Sequence, residues 1–314
     1  MIRRFAIVLA ACGPAPSAVA PRPAAPAPDP ALPTALESDR WFLVTATRDG
    51  APLRLYLDSA GGMFLTRAAA DRLKLAVSRE TLDGEATDVA PFPALADPRI
   101  PRPELPAMPV MAAGSIDDGD GMLGAPWFAG HTFAFDYPRR RLELRAPGDL
   151  PRVGPEHRVA VGFPRGADGA VISPYGRIQM TVDGETIDML LDTGATVDLT
   201  DTAIAALGGT ARLRATSFIT RTVFDRWHAA HPDWRVLDHA DRTAKDAPMI
   251  EVPRVSVGGY EVGPVWFTWR PDDAFHQFMA QYMDKPSEGA LGGDAFRTLR
   301  VTVDWTAGAA TFER

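Results

Sequence analysis

Cysteine is almost absent from this chain of 314 residues: Cys12 is the only one, which excludes an internal disulfide. The chain also lacks any run of about 20 apolar residues, the length that a membrane-spanning helix requires. Positive charge is in deficit, since the formal net charge is −7, and this argues against a nucleic-acid surface or an anionic-lipid patch. The length and composition fit two ordinary domains, each large enough to bury a hydrophobic core.

Recognisable metal motifs are missing as well. His228 and His231 stand three residues apart with His239 nearby, but no glutamate follows His228 as it does in a zinc-protease helix. The acidic stretch at residues 117–120 lacks the spacing and the glutamate of a calcium loop. We therefore expect no metal and no cofactor.

Residues 1–12 have the layout of an export signal, in which two arginines precede a short apolar run. The run ends in Leu9-Ala10-Ala11-Cys12, which resembles the bacterial lipoprotein box, where the cysteine is lipidated and becomes the mature N-terminus. This interpretation predicts a lipid-anchored, extracytoplasmic protein that faces the periplasm. The alternative is a plain signal cleaved near Ala20, with secretion to the periplasm.

Composition divides the rest of the chain into three parts. Residues 13–37 are rich in proline and alanine and predict an extended tether. Residues 38–150 and 151–314 would form an N-terminal and a C-terminal lobe. The second lobe is longer, and the helical apolar spacing within residues 212–247 predicts a helical insertion there.

An internal repeat supports the two-lobe division. The shift that places Asp58 on Asp192 also places Asp49-Gly50 on Asp183-Gly184, and residues 41–75 need no gap. Asp-Gly between alternating apolar residues predicts a hairpin. Each copy is therefore expected to contain a hairpin, an aspartate loop and a short helix, and the gapless alignment places Leu65-Thr66 on Leu199-Thr200.

A second block closes each copy. Gly121-Met-Leu-Gly124 precedes Phe128 and Asp136, and Gly289-Ala-Leu-Gly292 precedes Phe296 and Asp304 at the same spacings. Agreement in order, spacing and chemistry indicates a duplication.

These blocks resemble the signature of the pepsin-like and retropepsin-like aspartic proteases. In that signature a strand ends in Asp-Thr/Ser-Gly, and two apolar residues and a glycine later in the chain pack beneath the aspartate loop. The second copy matches fully, whereas in the first Ala60 stands where the family has glycine. The resemblance implies an all-β, two-lobed acid-protease β-barrel fold with a few short helices, and a strand within residues 158–163 that joins a sheet between the lobes.

The resemblance also implies a function and a set of site residues. Asp58 and Asp192 would activate a water between them and hydrolyse the peptide bonds of an extended polypeptide, with the protein acting as a monomer. The expected active-site loop residues are Ser59, Ala60, Gly61, Thr193, Gly194 and Ala195, and the residues expected to pack beneath the loops are Leu123, Gly124, Leu291 and Gly292.

Two alternatives stay open. If the Ala60 methyl crowds its loop, the chain could be a catalytically inactive, bilobal peptide-binding protein, or a homodimeric protease that uses only Asp192. Gly61 and Ala195 lack a hydroxyl that could bond an ionised carboxylate, so we expect a pair that works at mildly acidic to neutral pH.

Three further stretches carry local predictions. The proline-rich stretch at residues 87–109 is a poor hairpin for covering a cleft, so the insertion of the second lobe could act as a lid instead. Residues 255–268 predict a hairpin turned at Gly258-Gly259. Residues 271–284 predict a helix with an apolar stripe formed by Phe275, Phe278, Met279, Tyr282 and Met283.

Overall fold

The computed structural model describes residues 31–82, 84–112, 116 and 118–314. The predicted signal with Cys12, most of the predicted tether and Asp117 lie outside the described residues. Within the described part of the chain, no helix has the length and apolar character needed to cross a membrane.

Lobe 1 is built on one open sheet of eight strands, in the order β1-β2-β3-β8-β4-β7-β6-β5. Asp49 and Gly50 turn the β2–β3 hairpin, and Gly50 has the positive φ of +88° that such a turn requires. Helix α1 follows β4, and the Thr66 hydroxyl caps it by accepting from the Ala69 N–H at 3.1 Å. The elements are β1 Thr34–Glu37, β2 Arg40–Ala46, β3 Pro52–Leu57, β4 Phe64–Thr66, α1 Arg67–Arg72, β5 Ser78–Leu82, β6 Glu85–Ala90, β7 Met108–Met111 and β8 Gly121–Leu123.

Lobe 2 is built on a nine-stranded sheet, in the order β17-β18-β21-β16-β22-β13-β12-β19-β20, with a separate two-stranded ribbon of β14 and β15. The remaining elements of the chain are α2 Ala125–Phe128, β9 Thr132–Asp136, β10 Arg141–Arg145, β11 Arg158–Ala160, β12 Arg177–Val182, β13 Glu185–Leu191, β14 Thr196–Asp198, α3 Asp201–Leu207, β15 Leu213–Ala215, β16 Ser217–Thr220, α4 Arg221–Ala230, β17 Val236–Asp241, β18 Ala247–Val252, β19 Val255–Val257, β20 Tyr260–Val262, β21 Val265–Arg270, β22 Gly289–Leu291, α5 Gly293–Phe296, β23 Arg300–Asp304 and β24 Ala309–Glu313.

A five-stranded sheet, in the order β10-β9-β23-β24-β11, joins the lobes. Its central antiparallel pair matches Asp136 with Arg300, Ala134 with Thr302, and Thr132 with Asp304. Asp136 and Asp304 are counterparts in the repeat, so the pairing is symmetric about its midpoint, and a pseudo-twofold axis passes there. Strand β11 joins this sheet beside β24, as the family resemblance implied for residues 158–163.

Large aromatic side chains fill the space beside the joining sheet. Phe128 and Trp305 stack at 5.0 Å between ring centroids, and Trp127, Phe133 and Phe135 pack around them. All five are at most 1% exposed, so this cluster ties the two lobes into one core. The predicted all-β, two-lobed fold from an internal duplication is confirmed. No closed barrel is found among the described residues, whose strands form open sheets.

The register of the duplication differs from the gapless alignment after the aspartate loops. In the main sheets, Phe64 of β4 faces Met122, and Phe218 of β16 faces Ala290. The strand that matches β4 in position is therefore β16, and Phe-Leu-Thr-Arg at residues 64–67 corresponds to Phe-Ile-Thr-Arg at 218–221. The β14, α3 and β15 elements are an insertion, and Thr200 caps α3 as Thr66 caps α1.

The insertion predicted at residues 212–247 is therefore not helical throughout. Only α4 is a helix, and it packs Val223, Phe224 and Trp227 against the core of lobe 2 rather than forming a free lid. Strand β16 lies inside the sheet, where it pairs with β21 on one side and with β22 on the other.

Two further predictions differ from the structure at the ends of lobe 1. The last part of the predicted tether is strand β1, because Leu32 and Leu36 are buried against the lobe. A hairpin does form at the start of the proline-rich stretch: β5 pairs with β6, which ends at Ala90, and Leu82 faces Glu85. The prolines between β6 and β7 are accommodated outside the strands.

Residues 271–284 are helical but irregular, with a wide turn at Ala274–Phe278 followed by a tight one at Met279–Gln281. Phe275 and Met283 are buried, whereas Phe278 and Tyr282 are 60% and 42% exposed, so the predicted stripe is split between core and surface. The hairpin turned at Gly258-Gly259 is present between β19 and β20.

Candidate active site

Asp58 and Asp192 follow two strands that occupy matching places in the two sheets. Strand β3 runs parallel to β8, and β13 runs parallel to β22. The Asp58 N–H donates to the Leu123 carbonyl and the Asp192 N–H donates to the Leu291 carbonyl, each at 3.1 Å. The backbone of each aspartate is thus fixed by the second block of its own lobe.

The glycines of the second blocks let the chain pass beneath each loop. A Cβ atom on Gly124 would collide with the carbonyl oxygens of Gly61 and Gly62, and one on Gly292 would collide with the carbonyl oxygen of Thr216. Only glycine fits where two backbones approach this closely. The predicted packing residues Leu123, Gly124, Leu291 and Gly292 all lie beneath the aspartate loops.

Ser59 and Thr193 connect the two loops across the lobe boundary. The Ser59 N–H donates to Thr193 Oγ1 at 3.1 Å, and the Thr193 N–H donates to Ser59 Oγ at 2.9 Å. The Ser59 hydroxyl also donates to the Leu191 carbonyl at 2.8 Å. Both side chains are at most 2% exposed, so water does not compete for these bonds.

These crossed bonds hold the two carboxyl groups close together at one cleft, where the charge of Asp58 acts on Asp192. The Ala60 N–H donates to Asp58 Oδ1 at 2.8 Å, and the Gly194 N–H donates to Asp192 Oδ1 at 3.0 Å. Asp192 is 8% exposed, and Asp58 is half-buried beside it.

Burial raises the pKa of both carboxyl groups, that of Asp192 well above its usual range. The nearby charge of Asp58 raises the pKa of Asp192 further. The Ala60 and Gly61 N–H groups act to lower the pKa of Asp58. Two carboxyls this close share one proton and titrate as a pair.

The loop residues differ between the two copies. Gly194 lies against the Asp58 carboxyl so closely that a Cβ there would collide with it. Ala60, its counterpart, points its methyl into an apolar cluster that includes Leu190 and Phe275, so the methyl is accommodated. Gly61 also faces the Asp58 carboxyl, since an added Cβ would lie 2.6 Å from Asp58 Oδ2. Ala195 is buried.

A cleft of about 430 Å³ opens beside the two carboxyls, between the lobes. Its lining combines apolar side chains with hydroxyls and paired charges. The residues that line it are Arg40, Tyr56, Asp58, Ile116, Asp118, Met122, Asp192, Gly194, Ala195, Thr196, Asp198, Leu213, Phe218 and Thr243.

The chain is similar to the crystal structure of an aspartic proteinase from Irpex lacteus, with a TM-score of 0.47 and 10% sequence identity, over 90% of this chain and 96% of that one. No protein-family model matches the sequence, and no curated protein matches it either.

Sequence reasoning missed a polar network at the edge of the cleft. The Tyr56 hydroxyl donates to the Gly194 carbonyl at 2.7 Å and lies 2.7 Å from Thr196 Oγ1. Arg40 donates from Nε to Thr196 Oγ1 at 3.1 Å and pairs with Asp118. The available signal was local: a tyrosine among leucines in β3, and an arginine that directly precedes the apolar run of β2.

The candidate metal ligands have other roles where the structure describes them. Asp118 pairs with Arg40, and Asp120 accepts from Arg72 at 2.6 Å. His231 pairs with Asp183 at 2.8 Å and stacks on Trp234. Across the described ranges, no three histidine, cysteine or acidic side chains gather closely enough to hold a metal.

Proposed function

We propose that this protein is an aspartic endopeptidase that hydrolyses polypeptides with a water activated between Asp58 and Asp192. The observation that carries the proposal is the meeting of two carboxyls in one cleft, on matching loops of two lobes that are cross-linked by Ser59 and Thr193. Two carboxyls in contact share one proton, which provides a base and an acid at one place.

In the proposed reaction, ionised Asp58 removes a proton from a water that lies between the carboxyls. The resulting hydroxide attacks the carbonyl carbon of the scissile peptide bond, while protonated Asp192 donates to the carbonyl oxygen. Collapse of the tetrahedral intermediate then breaks the C–N bond: Asp58 gives the amine the proton that it took from the water, and a hydroxyl of the intermediate returns a proton to Asp192. The atoms balance with one water consumed.

Two features of the site support this chemistry. The crossed bonds of Ser59 and Thr193 fix the loops, so little reorganisation is needed when charge develops at the substrate carbonyl. The cleft is open to solvent and carries apolar side chains such as Met122 and Phe218, which suits an extended peptide with apolar side chains.

The test is cleavage of an unfolded protein at mildly acidic to neutral pH, read by mass spectrometry of the fragments. We expect Asp192→Asn and Asp58→Asn each to lower the cleavage rate at least a hundredfold, because each removes one of the two proton-transfer groups. Asp183→Asn is the matched control: Asp183 lies in a turn with φ of +48°, far from the carboxyl pair, and asparagine suits that conformation.

The same experiment separates the alternatives. A binding protein would retain a fluorescent peptide without cutting it, and Asp192→Asn would leave that affinity unchanged. A homodimer that uses only Asp192 would keep its activity in Asp58→Asn, and its specific activity would fall on dilution. The contact of Asp58 with Asp192 inside one chain favours the monomer.

We also propose that Cys12 carries a lipid and that the lobes face the periplasm. Its support is the sequence Leu9-Ala10-Ala11-Cys12 after a charged, apolar segment. Expression of the full chain in a bacterium should place the protein in the detergent phase, and Cys12→Ala should move it to the aqueous phase. Retention of Cys12→Ala with the membrane would contradict the anchor.

A further inference from the structure

The two sides of the carboxyl pair are held by different kinds of contact. Tyr56 and Leu190 stand at matching positions, each two residues before its aspartate. The Tyr56 hydroxyl reaches across the lobe boundary to the Gly194 carbonyl in the opposite loop. Leu190 has no polar atom in its side chain and packs instead in the apolar cluster against which the Ala60 methyl lies. Only one loop is therefore held by a hydrogen bond from the other lobe's strand at this position.

Tyr56 is itself rigidly placed. The Arg40 guanidinium lies 4.7 Å from the centroid of the Tyr56 ring and bonds both oxygens of Asp118, at 2.6 and 3.2 Å. Thr196 lies between the Arg40 Nε and the Tyr56 hydroxyl. Tyr56 is 3% exposed and Arg40 is 4% exposed, so the network is nearly closed to water.

The residue whose carbonyl Tyr56 binds also contacts Asp192. The Gly194 N–H donates to Asp192 Oδ1 at 3.0 Å, while the Gly194 carbonyl accepts from the Tyr56 hydroxyl at 2.7 Å. The next N–H along the chain, that of Ala195, donates to the backbone carbonyl of Asp192 at 3.3 Å. Burial and the charge of Asp58 raise the pKa of Asp192, and the backbone N–H groups of Gly194 and Ala195 oppose this rise. Tyr56 therefore holds, from the carbonyl side, the residue whose N–H bonds the Asp192 carboxyl.

We propose that Tyr56 is a positioning residue that holds Gly194 in place, so that the Gly194 N–H stays on the Asp192 carboxyl. This inference rests on the proposed function for its catalytic meaning, but the effect on Asp192 is a property of the folded protein alone. An acid that holds its proton too tightly donates poorly to a substrate carbonyl, so the loss of Tyr56 would slow the chemical step.

Other ionisable groups near the pair are balanced by partners or remain neutral. Arg40 is paired with Asp118, and Arg270 of β21 is paired with Asp241 at 2.8 Å. Burial lowers the pKa of Arg270, and the charges of Asp241 and then Asp192 act against this. On the other side, burial and then the charge of Asp58 raise the pKa of Tyr175, which stays a neutral phenol.

Tyr56→Phe tests the proposal, because it removes the hydroxyl and keeps the ring. We expect kcat to fall about three- to tenfold with KM nearly unchanged, and the alkaline limb of the pH–rate profile to move up by about half a pH unit. Tyr137→Phe is the matched control, since it removes a buried hydroxyl for which the described residues supply no hydrogen-bond acceptor. Its profile should superimpose on that of the unsubstituted protein.

A second readout does not require cleavage. Because the pKa of Asp192 is raised by folding, the stability that its protonated form contributes is lost as pH rises through the folded-state pKa. The stability of the protein relative to Asp192→Asn, measured by denaturant unfolding against pH, reports that midpoint. In the Tyr56→Phe background the midpoint should move to higher pH. Thr196→Val should move it in the same direction by less, and it serves if Tyr56→Phe fails to fold.

The outcomes separate the two proposals. A shifted midpoint in a protein that cuts no peptide would sustain the role of Tyr56 and remove the proposed function. Reduced activity with an unmoved pH profile and an unmoved midpoint would make Tyr56 a merely structural residue and would overturn the inference. A shift of the midpoint to lower pH would overturn it as well.

Discussion

Asp294 offers a prediction whose size follows from the structure. It lies at the start of α5, directly after Gly292-Gly293, and it is 6% exposed. Its Oδ1 accepts from the Ser217 hydroxyl at 2.9 Å, and its Oδ2 accepts from the Trp266 N–H at 3.0 Å. Burial outweighs these two bonds and the charge of Arg297, and raises the pKa of Asp294 to about 7.

The sign of the pH effect follows from this rise. A carboxyl that is harder to ionise when folded contributes stability that is fully present below its unfolded pKa and is lost as pH rises through its folded pKa. Since one pKa unit corresponds to about 1.4 kcal/mol, a rise from 3.8 to about 7 makes ionised Asp294 cost the folded state about 4 kcal/mol.

Asp294→Asn removes the ionisation and keeps one oxygen to accept from Ser217 or Trp266. We expect the free energy of unfolding of the variant, relative to the unsubstituted protein, to improve by up to about 4 kcal/mol between pH 4 and pH 8. Urea unfolding at pH 4, 5, 6, 7 and 8, followed by tryptophan fluorescence, measures the difference. Asp225→Asn on the exposed face of α4 is the control, and its difference should stay flat. A flat difference for Asp294→Asn would refute the reasoning.

Three other substitutions probe the loops. Gly292→Ala and Gly124→Ala should each destabilise the protein by about 3 kcal/mol or more, because the new methyl collides with backbone; thermal unfolding measures this, and an unchanged Tm would contradict it. Ser59→Ala should lower the free energy of unfolding by about 1 kcal/mol more than Thr193→Val does. The reason is that Ser59 Oγ both donates and accepts a hydrogen bond, whereas Thr193 Oγ1 accepts one from the Ser59 N–H. Equal losses in urea unfolding would count against the assigned bonds. Ala60→Gly should cost about 1 kcal/mol and leave the cleavage rate within about twofold, whereas a large gain in rate would show that the methyl crowds the loop.

The sequence predicted the features that are encoded locally. Two such features are the apolar strands before Asp58 and Asp192 and the glycine blocks that contain Gly124 and Gly292. Each depends on a few neighbouring residues, so a short sequence pattern is enough to specify it. Their meeting between the lobes followed from the duplication, because a repeated unit that pairs with itself brings like positions together about one axis.

The register error had a physical cause. Thr66 and Thr200 both cap short helices, so the gapless alignment matched two locally similar elements. Which of the candidate strands lies beside β22 depends on sheet pairing, and that pairing is decided by contacts between distant residues. In the structure Phe64 therefore corresponds to Phe218, and not to Asp198 as in the gapless alignment.

The polar network around Tyr56 could not be predicted from the sequence for the same reason. Arg40 and Thr196 are far apart along the chain, and neither belongs to a sequence motif that predicts its partner. The hairpin of β5 and β6 was missed because the prolines that follow it dominated the composition of the region, although Ser78–Leu82 itself contains none.

The most direct test of the account is the pH dependence of kcat/KM for cleavage of one peptide by the unsubstituted protein. Two carboxyls with raised pKa values that share one proton predict a bell-shaped profile whose maximum lies at mildly acidic to neutral pH. Activity is lost on the acid side when the pair takes a second proton, and on the alkaline side when it loses the shared one. A maximum near pH 2–3, or a profile with a single limb, would contradict a shared proton between these two aspartates.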